Sequence, residues 1–174
     1  MKAQAAALAH KTEAGGVVLN LADEAALRAA WETMQHNVKR AAPGVTLDGC
    51  LVETMSPKGL ELTIGAKRDP AWGTVLLVGL GGIWVEALGD VELVPVDADE
   101  TQIVEALHKL RAAKLLTGFR GAPPVDVKAV ADAVLAIGRL MRTMPGIVEI
   151  DVNPLMVHAK GQGATALDAL IVAE

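Results

Sequence analysis

Four oxygen-bearing side chains near the C-terminus carry the clearest chemistry in the sequence. In the run EIDVNPLMV, from Glu149 to Val157, the two-residue alternation of a strand puts Glu149, Asp151 and Asn153 on one face and Ile150 and Val152 on the other. Beyond a Gly161-Gln162-Gly163 turn, Asp168 interrupts the apolar run ALDALIV, where an acid costs free energy unless it is paired or liganded. A hairpin register that sets Asp168 beside Asp151 and Asn153 would make an oxygen cluster of the kind Mg²⁺ accepts. One or two carboxylates and an amide would be completed to an octahedron by phosphate and water oxygens. The same residues also read as a solvated polar strand face, and spacing alone leaves both readings open.

Two glycine-rich segments are the second candidate. HKTEAGGV (His10 to Val17) and GLGGIWVE (Gly79 to Glu86) set flexible backbone N–H groups beside charged residues, a composition shared by anion-binding nests and by tight turns. Neither is a Walker or dinucleotide fingerprint. The GLGG run follows a strand-like segment, but no helix follows it to aim a dipole at a pyrophosphate.

These residues must be held by alternating strand-like and helix-like segments. GVVLNL (Gly16 to Leu21) reads as a strand, and Asp23 to Arg40 shows helical spacing, with acids early and Lys39-Arg40 late as the helix dipole prefers. LDGCLVETM (Leu47 to Met55) reads as a strand, Ser56-Pro57-Lys58-Gly59 as a turn, and LELTIGAK (Leu60 to Lys67) as its hairpin partner, closed by Arg68-Asp69-Pro70. TVLLVGLGG, IWVEAL and VELVPV follow as strands divided by glycines. Asp99 to Lys114 and Asp126 to Thr143 have the amphipathic pattern of helices, with Asp126 placed to cap the second. The tail closes as an antiparallel hairpin with a glycine turn. No internal repeat or low-complexity tract is present, and the lobe boundary falls between Met55 and Gly65.

Composition removes several function classes. The 174 residues suffice for one α/β unit of one lobe or two. A net charge of −5 without a basic cluster leaves no positive footprint for nucleic acid or an anionic membrane. The apolar fraction is 52%, carried by Ala, Leu and Val, and no window reaches the roughly 18 apolar residues of a membrane span. The N-terminus lacks the long apolar core and cleavage site of a signal peptide. The single cysteine, Cys50, has no internal disulfide partner and sits in an apolar run as a small buried thiol. The expectation is a soluble cytoplasmic protein.

Taken in order, HKTEAGGV, LVETM…GLELTIG…RDP, GLGGIWVE…D, TGFRGAPPVD, EIDVNPLMV and an Asp-bearing final strand resemble the ATP-grasp domain of the NDP-forming acyl-CoA synthetases. This is the acetate–CoA ligase (ADP-forming) family, similar to the succinyl-CoA synthetase beta subunit. The resemblance spans essentially the whole chain. It implies an α/β (α+β) ATP-grasp fold: an incomplete small lobe over residues 1–58 and a larger mixed-sheet C-terminal lobe over 59–174 that carries a metal-binding hairpin. It further implies that Lys2 reaches the nucleotide phosphates, that His10 carries or contacts a phosphoryl group, and that Gly15 and Gly16 let the loop close over the phosphates. Glu53 falls near the hinge where the family seats adenine, Glu61 is the acid of the next strand, and Glu86 and Arg120 match family positions. Asp151, Asn153 and Asp168 match the Mg²⁺ shell.

The activity so implied is acid + CoA + ATP = acyl-CoA + ADP + phosphate, through an acyl phosphate and a phosphohistidine. The cofactors are Mg²⁺ and ATP or ADP, and the partner is a CoA-binding, acyl-transfer domain or subunit. Family modules carry a helical stretch and a strand ahead of the lysine, and this chain starts at it. The resemblance therefore implies an N-terminally truncated module that does not turn over acyl-CoA alone. The alternative is a non-catalytic nucleotide-binding or interaction module left from such an enzyme, and the plainest reading is an α/β domain with solvated acids.

Overall fold

Asp23 starts the first helix because its carboxylate accepts the N–H of Ala26 at 2.8 Å, satisfying a donor that has no partner within the helix. The computed structural model describes residues 1–8, 11–82 and 88–174. It forms two compact units, Met1–Met55 and Ser56–Glu174.

In the first unit, helix α1 (Glu24–Ala41) has Glu24 in its first turn and Lys39 and Arg40 in its last. It buries Met34 and Val38 in a small core with Met1, Ala3, Leu8 and Ala14. Strands β1 (Lys2–Gln4) and β2 (Gly49–Leu51) pair antiparallel, with Lys2 opposite Leu51. The expected strand over residues 16–21 shrinks to one bridge between Lys2 and Val17. Asn20, at φ 59, turns the chain out of extended geometry before a ladder can form.

The second unit contains β3 (Leu60–Asp69), β4 (Gly73–Leu80), β5 (Val91–Pro95), α2 (Glu100–Lys109), α3 (Val127–Thr143), β6 (Ile147–Val157), β7 (Ala164–Ala166) and β8 (Ala169–Ala173). The sheet order is β5-β4-β3-β6-β7, with β8 also on β6, and each of these pairings is antiparallel. The expected hairpin between residues 47–55 and 60–67 does not form. β2 pairs with β1, while β3 pairs with β4 and β6. The turn that makes β3 and β4 a hairpin is set by Asp69, whose Oδ1 accepts the N–H groups of Ala71 and Trp72 at 2.8 and 2.9 Å, and by Gly73 at φ 77.

Helices α2 and α3 cover one face of this sheet. Ile103, Leu107, Val130, Val134 and Met141 pack on Leu62, Ile64, Leu76, Val78, Ile150 and Val152, and each such side chain taken out of water contributes roughly 1.5–3 kcal/mol. Both helices have aspartate caps: Asp99 in a capping box with Gln102, and Asp126 accepting from Ala129. Arg68 ties the end of α3 to the start of β6, donating to the carbonyls of Met141 (2.5 Å), Met144 (3.2 Å) and Ile147 (2.7 Å). Because the apolar residues of β3 and β6 are spent on the helix side, their alternate residues form a face left to polar chemistry. No described helix is long and apolar enough to cross a membrane.

Candidate functional site

On that polar face, the β3–β6 register sets Gly65 opposite Asp151 and Lys67 opposite Glu149. On the other side of β6, Asp151 lies opposite Leu170 and Val152 opposite Ala169. One step further the backbone N–H of Asn153 donates to the carbonyl of Asp168 at 3.2 Å. Asp168 occupies the break between β7 and β8, so it is not the interior strand residue that its apolar neighbours implied. The hairpin nevertheless brings Asp151, Asn153 and Asp168 together.

The cluster is electrostatically crowded. The half-buried Asp151 carboxyl is pushed above its ordinary value of 3.8, first by burial and then by the negative charges of Glu149 and Asp168. Lys67 partly offsets Glu149 through an ion pair of 3.1 Å, but both side chains are well exposed and such a pair contributes little. The donor set suits a hard divalent cation: two carboxylates and an amide oxygen, beside acids whose mutual repulsion a cation would relieve. Among the described residues no three His, Cys, Asp or Glu side chains form a metal-holding group.

Two further residues complete the surroundings. The N–H of Gly82 donates to Asn153 Oδ1 at 3.0 Å, and the Glu61 carboxylate lies where a Cβ on Gly82 would stand. Lys67 is not singled out by the sequence, whereas Gly82 lies in the GLGGIWVE run marked as a nest or a tight turn. The alternation Glu61, Thr63, Gly65, Lys67 already marks the polar face of β3, whereas the partner of Gly82 has no sequence signal.

In the first unit, Lys2 Nζ and Glu53 Oε2 form an ion pair of 2.9 Å. The loop glycines behave differently from a phosphate nest. Gly15 N–H donates to Thr12 O at 3.1 Å and Gly16 N–H to Lys11 O at 2.7 Å, so both donors are spent within the loop. Gly15 has φ +68, and a Cβ there would come within 2.9 Å of Asn37 Cβ; these glycines shape the loop. His10 and Glu86 lie outside the described residues. Arg120 sits in a turn at φ 49 with its guanidinium 5.4 Å from the Phe119 ring centre. A cleft of about 350 Å³ at the start of α3, lined by His108, Thr117, Asp126, Lys128 and Lys160 among others, includes none of the expected site residues.

The ATP-grasp domain model matches residues 1–173. A trans-feruloyl-CoA synthase from an unknown prokaryotic organism is 46% identical over 174 residues, which is 100% of this chain and 25% of that protein. The beta subunit of acetate–CoA ligase (ADP-forming) I from Pyrococcus furiosus is 34% identical over 99% of this chain and 73% of its own length. Thus the chain spans a quarter of one relative and about three quarters of the other. Among solved structures, the dinucleotide-forming acetyl-coenzyme A synthetase 1 of Ca. Korarchaeum cryptofilum, in complex with coenzyme A and Ca-AMPCP, superposes with a TM-score of 0.90 at 38% identity, over 97% of this chain and 72% of that one. The same enzyme with coenzyme A and Mg-AMPPCP, its phosphohistidine segment pointing towards the nucleotide binding site, gives a TM-score of 0.82 at 33% identity, over 100% of this chain and 75% of that one. The chain belongs to the ATP-grasp domain family, in the branch that includes the beta subunits of the ADP-forming acetate–CoA ligases.

Proposed function

We propose that the chain is the nucleotide-binding, phosphoryl-transferring part of an NDP-forming acyl-CoA synthetase, serving acid + CoA + ATP = acyl-CoA + ADP + phosphate through a phosphohistidine. The observation that carries this reading is the meeting of Asp151, Asn153 and Asp168 at the polar side of β6. These three side chains would hold Mg²⁺. When bound, the ion supplies charge neutralisation to the nucleotide phosphates. Asp151 and Asp168 contribute the anionic oxygens, and Asn153 adds a neutral one, so the site holds a dication without a large excess of negative charge. Lys2 supplies an ammonium for a phosphate, and its pairing with Glu53 restricts the conformations of a long side chain. His10 is assigned to contacting or carrying the phosphoryl group, with Gly15 and Gly16 shaping the loop beside it, and Glu61 and Glu86 belong to the nucleotide side. The contribution is positioning and electrostatic, as phosphoryl transfer requires, with no activated Ser or Cys.

The acid and CoA belong to a CoA-binding, acyl-transfer domain or subunit; the coenzyme A and the phosphohistidine segment in the Korarchaeum complexes support this partner. Calorimetric titration of ADP into the chain, with Mg²⁺ and with EDTA, tests the reading. We expect metal-dependent binding that Asp168→Asn abolishes and Lys2→Met weakens. Binding that is equal in EDTA, or no binding at millimolar nucleotide, overturns it. Labelled ATP with the CoA-domain partner then tests transfer: absence of phosphohistidine in both chains would leave a nucleotide-binding module without catalysis.

A further inference from the structure

The Gly81-Gly82 segment is pressed against β3 on one side and holds β6 on the other. Gly81 N–H donates to Glu61 O at 2.9 Å, and a Cβ on Gly81 would come within 2.5 Å of the Leu62 backbone. Gly82 has left-handed geometry at φ +61, a backbone conformation that any side chain strains, and a Cβ there would come within 2.2 Å of the Glu61 carboxylate. From this braced position it reaches Asn153, 71 residues away in sequence, with its N–H 3.0 Å from Oδ1.

A backbone N–H only donates, so the Asn153 atom that faces it must be the amide oxygen. That single contact decides between the two flip states of the amide. In the state it selects, the oxygen keeps a second lone pair for a cation; in the other, an NH2 group would meet the cation with the wrong polarity. We infer that Gly82 is a positioning residue for the metal site, its N–H holding the Asn153 amide in the orientation that offers oxygen to Mg²⁺. This inference rests on the reading above that Asp151, Asn153 and Asp168 hold the ion.

The test is the Mg²⁺ concentration needed for half-maximal ADP binding by the full chain, measured calorimetrically. Residues that orient metal ligands typically contribute 10- to 100-fold in metal affinity, so Gly82→Ala should raise the Mg²⁺ requirement about tenfold or more and leave ADP binding in EDTA unchanged. The discriminating step is the same substitution in an Asn153→Asp background. A carboxylate presents oxygen in either flip state, so there Gly82→Ala should change the Mg²⁺ requirement by less than about threefold, as expected when the orienting contact has no choice to make. An equal cost in both backgrounds, or no cost in the first, overturns the inference while leaving the metal site standing. Absence of Mg²⁺-dependent ADP binding by the wild type, or its persistence in Asp168→Asn, overturns the metal-site reading and this inference with it. If Gly82→Ala does not fold, an ester oxygen in place of the Gly82 backbone N–H removes the donor to Asn153 Oδ1 without adding a side chain and carries the same measurement in both backgrounds.

Discussion

Asp90 closes the GLGGIWVE…D run on which the family resemblance partly rests, yet its contacts assign it a structural task. It is 5% exposed, and its two carboxylate oxygens accept the N–H groups of Arg111 at 2.9 Å and Ala112 at 3.0 Å. It thereby fixes the chain just after α2, between the buried side chains of Leu110 and Leu116. In Asp90→Ala both hydrogen bonds are lost, each worth about 1.5–3 kcal/mol when the acceptor is charged. Arg111 is exposed and its N–H regains water, whereas Ala112 is partly covered; removing the carboxylate also relieves its own desolvation. The net loss is therefore about 2–3 kcal/mol. At about 4 °C per kcal/mol for a unit of this size, the second unit should melt about 10 °C lower by calorimetry, with a matching fall in the urea midpoint. Asp90→Asn should cost at least as much, because one N–H then faces an amide donor. ADP affinity of the folded variants should be unchanged. A loss below about 0.5 kcal/mol, the range of an ordinary surface substitution, would refute this account of Asp90.

Asp151→Asn should stabilise the ligand-free protein at neutral pH while removing Mg²⁺-dependent ADP binding. The Asp151 carboxyl is raised above 3.8 by burial, Glu149 and Asp168, so its favourable contribution is present below that value and is lost as pH rises through the folded-state pKa. The stability difference between variant and wild type, measured by urea denaturation, should be small at acid pH and grow toward neutrality; a difference independent of pH would sink the explanation. Asp126 has the opposite sign. Its carboxyl is lowered by the N–H groups of Gly163, Ala129 and Gly161, so its contribution is present above 3.8 and is lost as pH falls through the folded value. Asp126→Ala should accordingly be less stable than wild type at neutral pH and equal to it in strong acid, and a gap that persists in acid would count against the cap.

Much of this was legible because it depends on local pattern. The alternation in EIDVNPLMV places Glu149, Asp151 and Asn153 on one face, and the structure gives that face to polar residues because Ile150 and Val152 are buried against the helices. Asp23, Asp99 and Asp126 cap helices whose amphipathic spacing was equally plain. Strand pairing was harder. Residues 47–55 and 60–67 have the composition of a hairpin with a Ser-Pro-Lys-Gly turn, but both backbone edges of β3 are taken, one by the adjacent β4 and the other by β6, far along the chain. The glycines of HKTEAGGV suit either a nest or a tight turn by composition, and whether their N–H groups are free depends on where Lys11 and Thr12 place their carbonyls.

The sequence by itself determined where the helices begin, which side of β6 is polar, and which family the motifs belong to, because caps, turns and periodicity act over a few residues; the helix expected over 99–114 stops at Lys109. Tertiary structure alone decided the neighbours on that polar side. It set Asp168 opposite Asn153, paired Lys67 with Glu149 and brought the N–H of Gly82 to the Asn153 amide. Register between distant strands is chosen by the burial of their apolar faces, and a contact that spans 71 residues leaves no periodic trace in either segment that makes it.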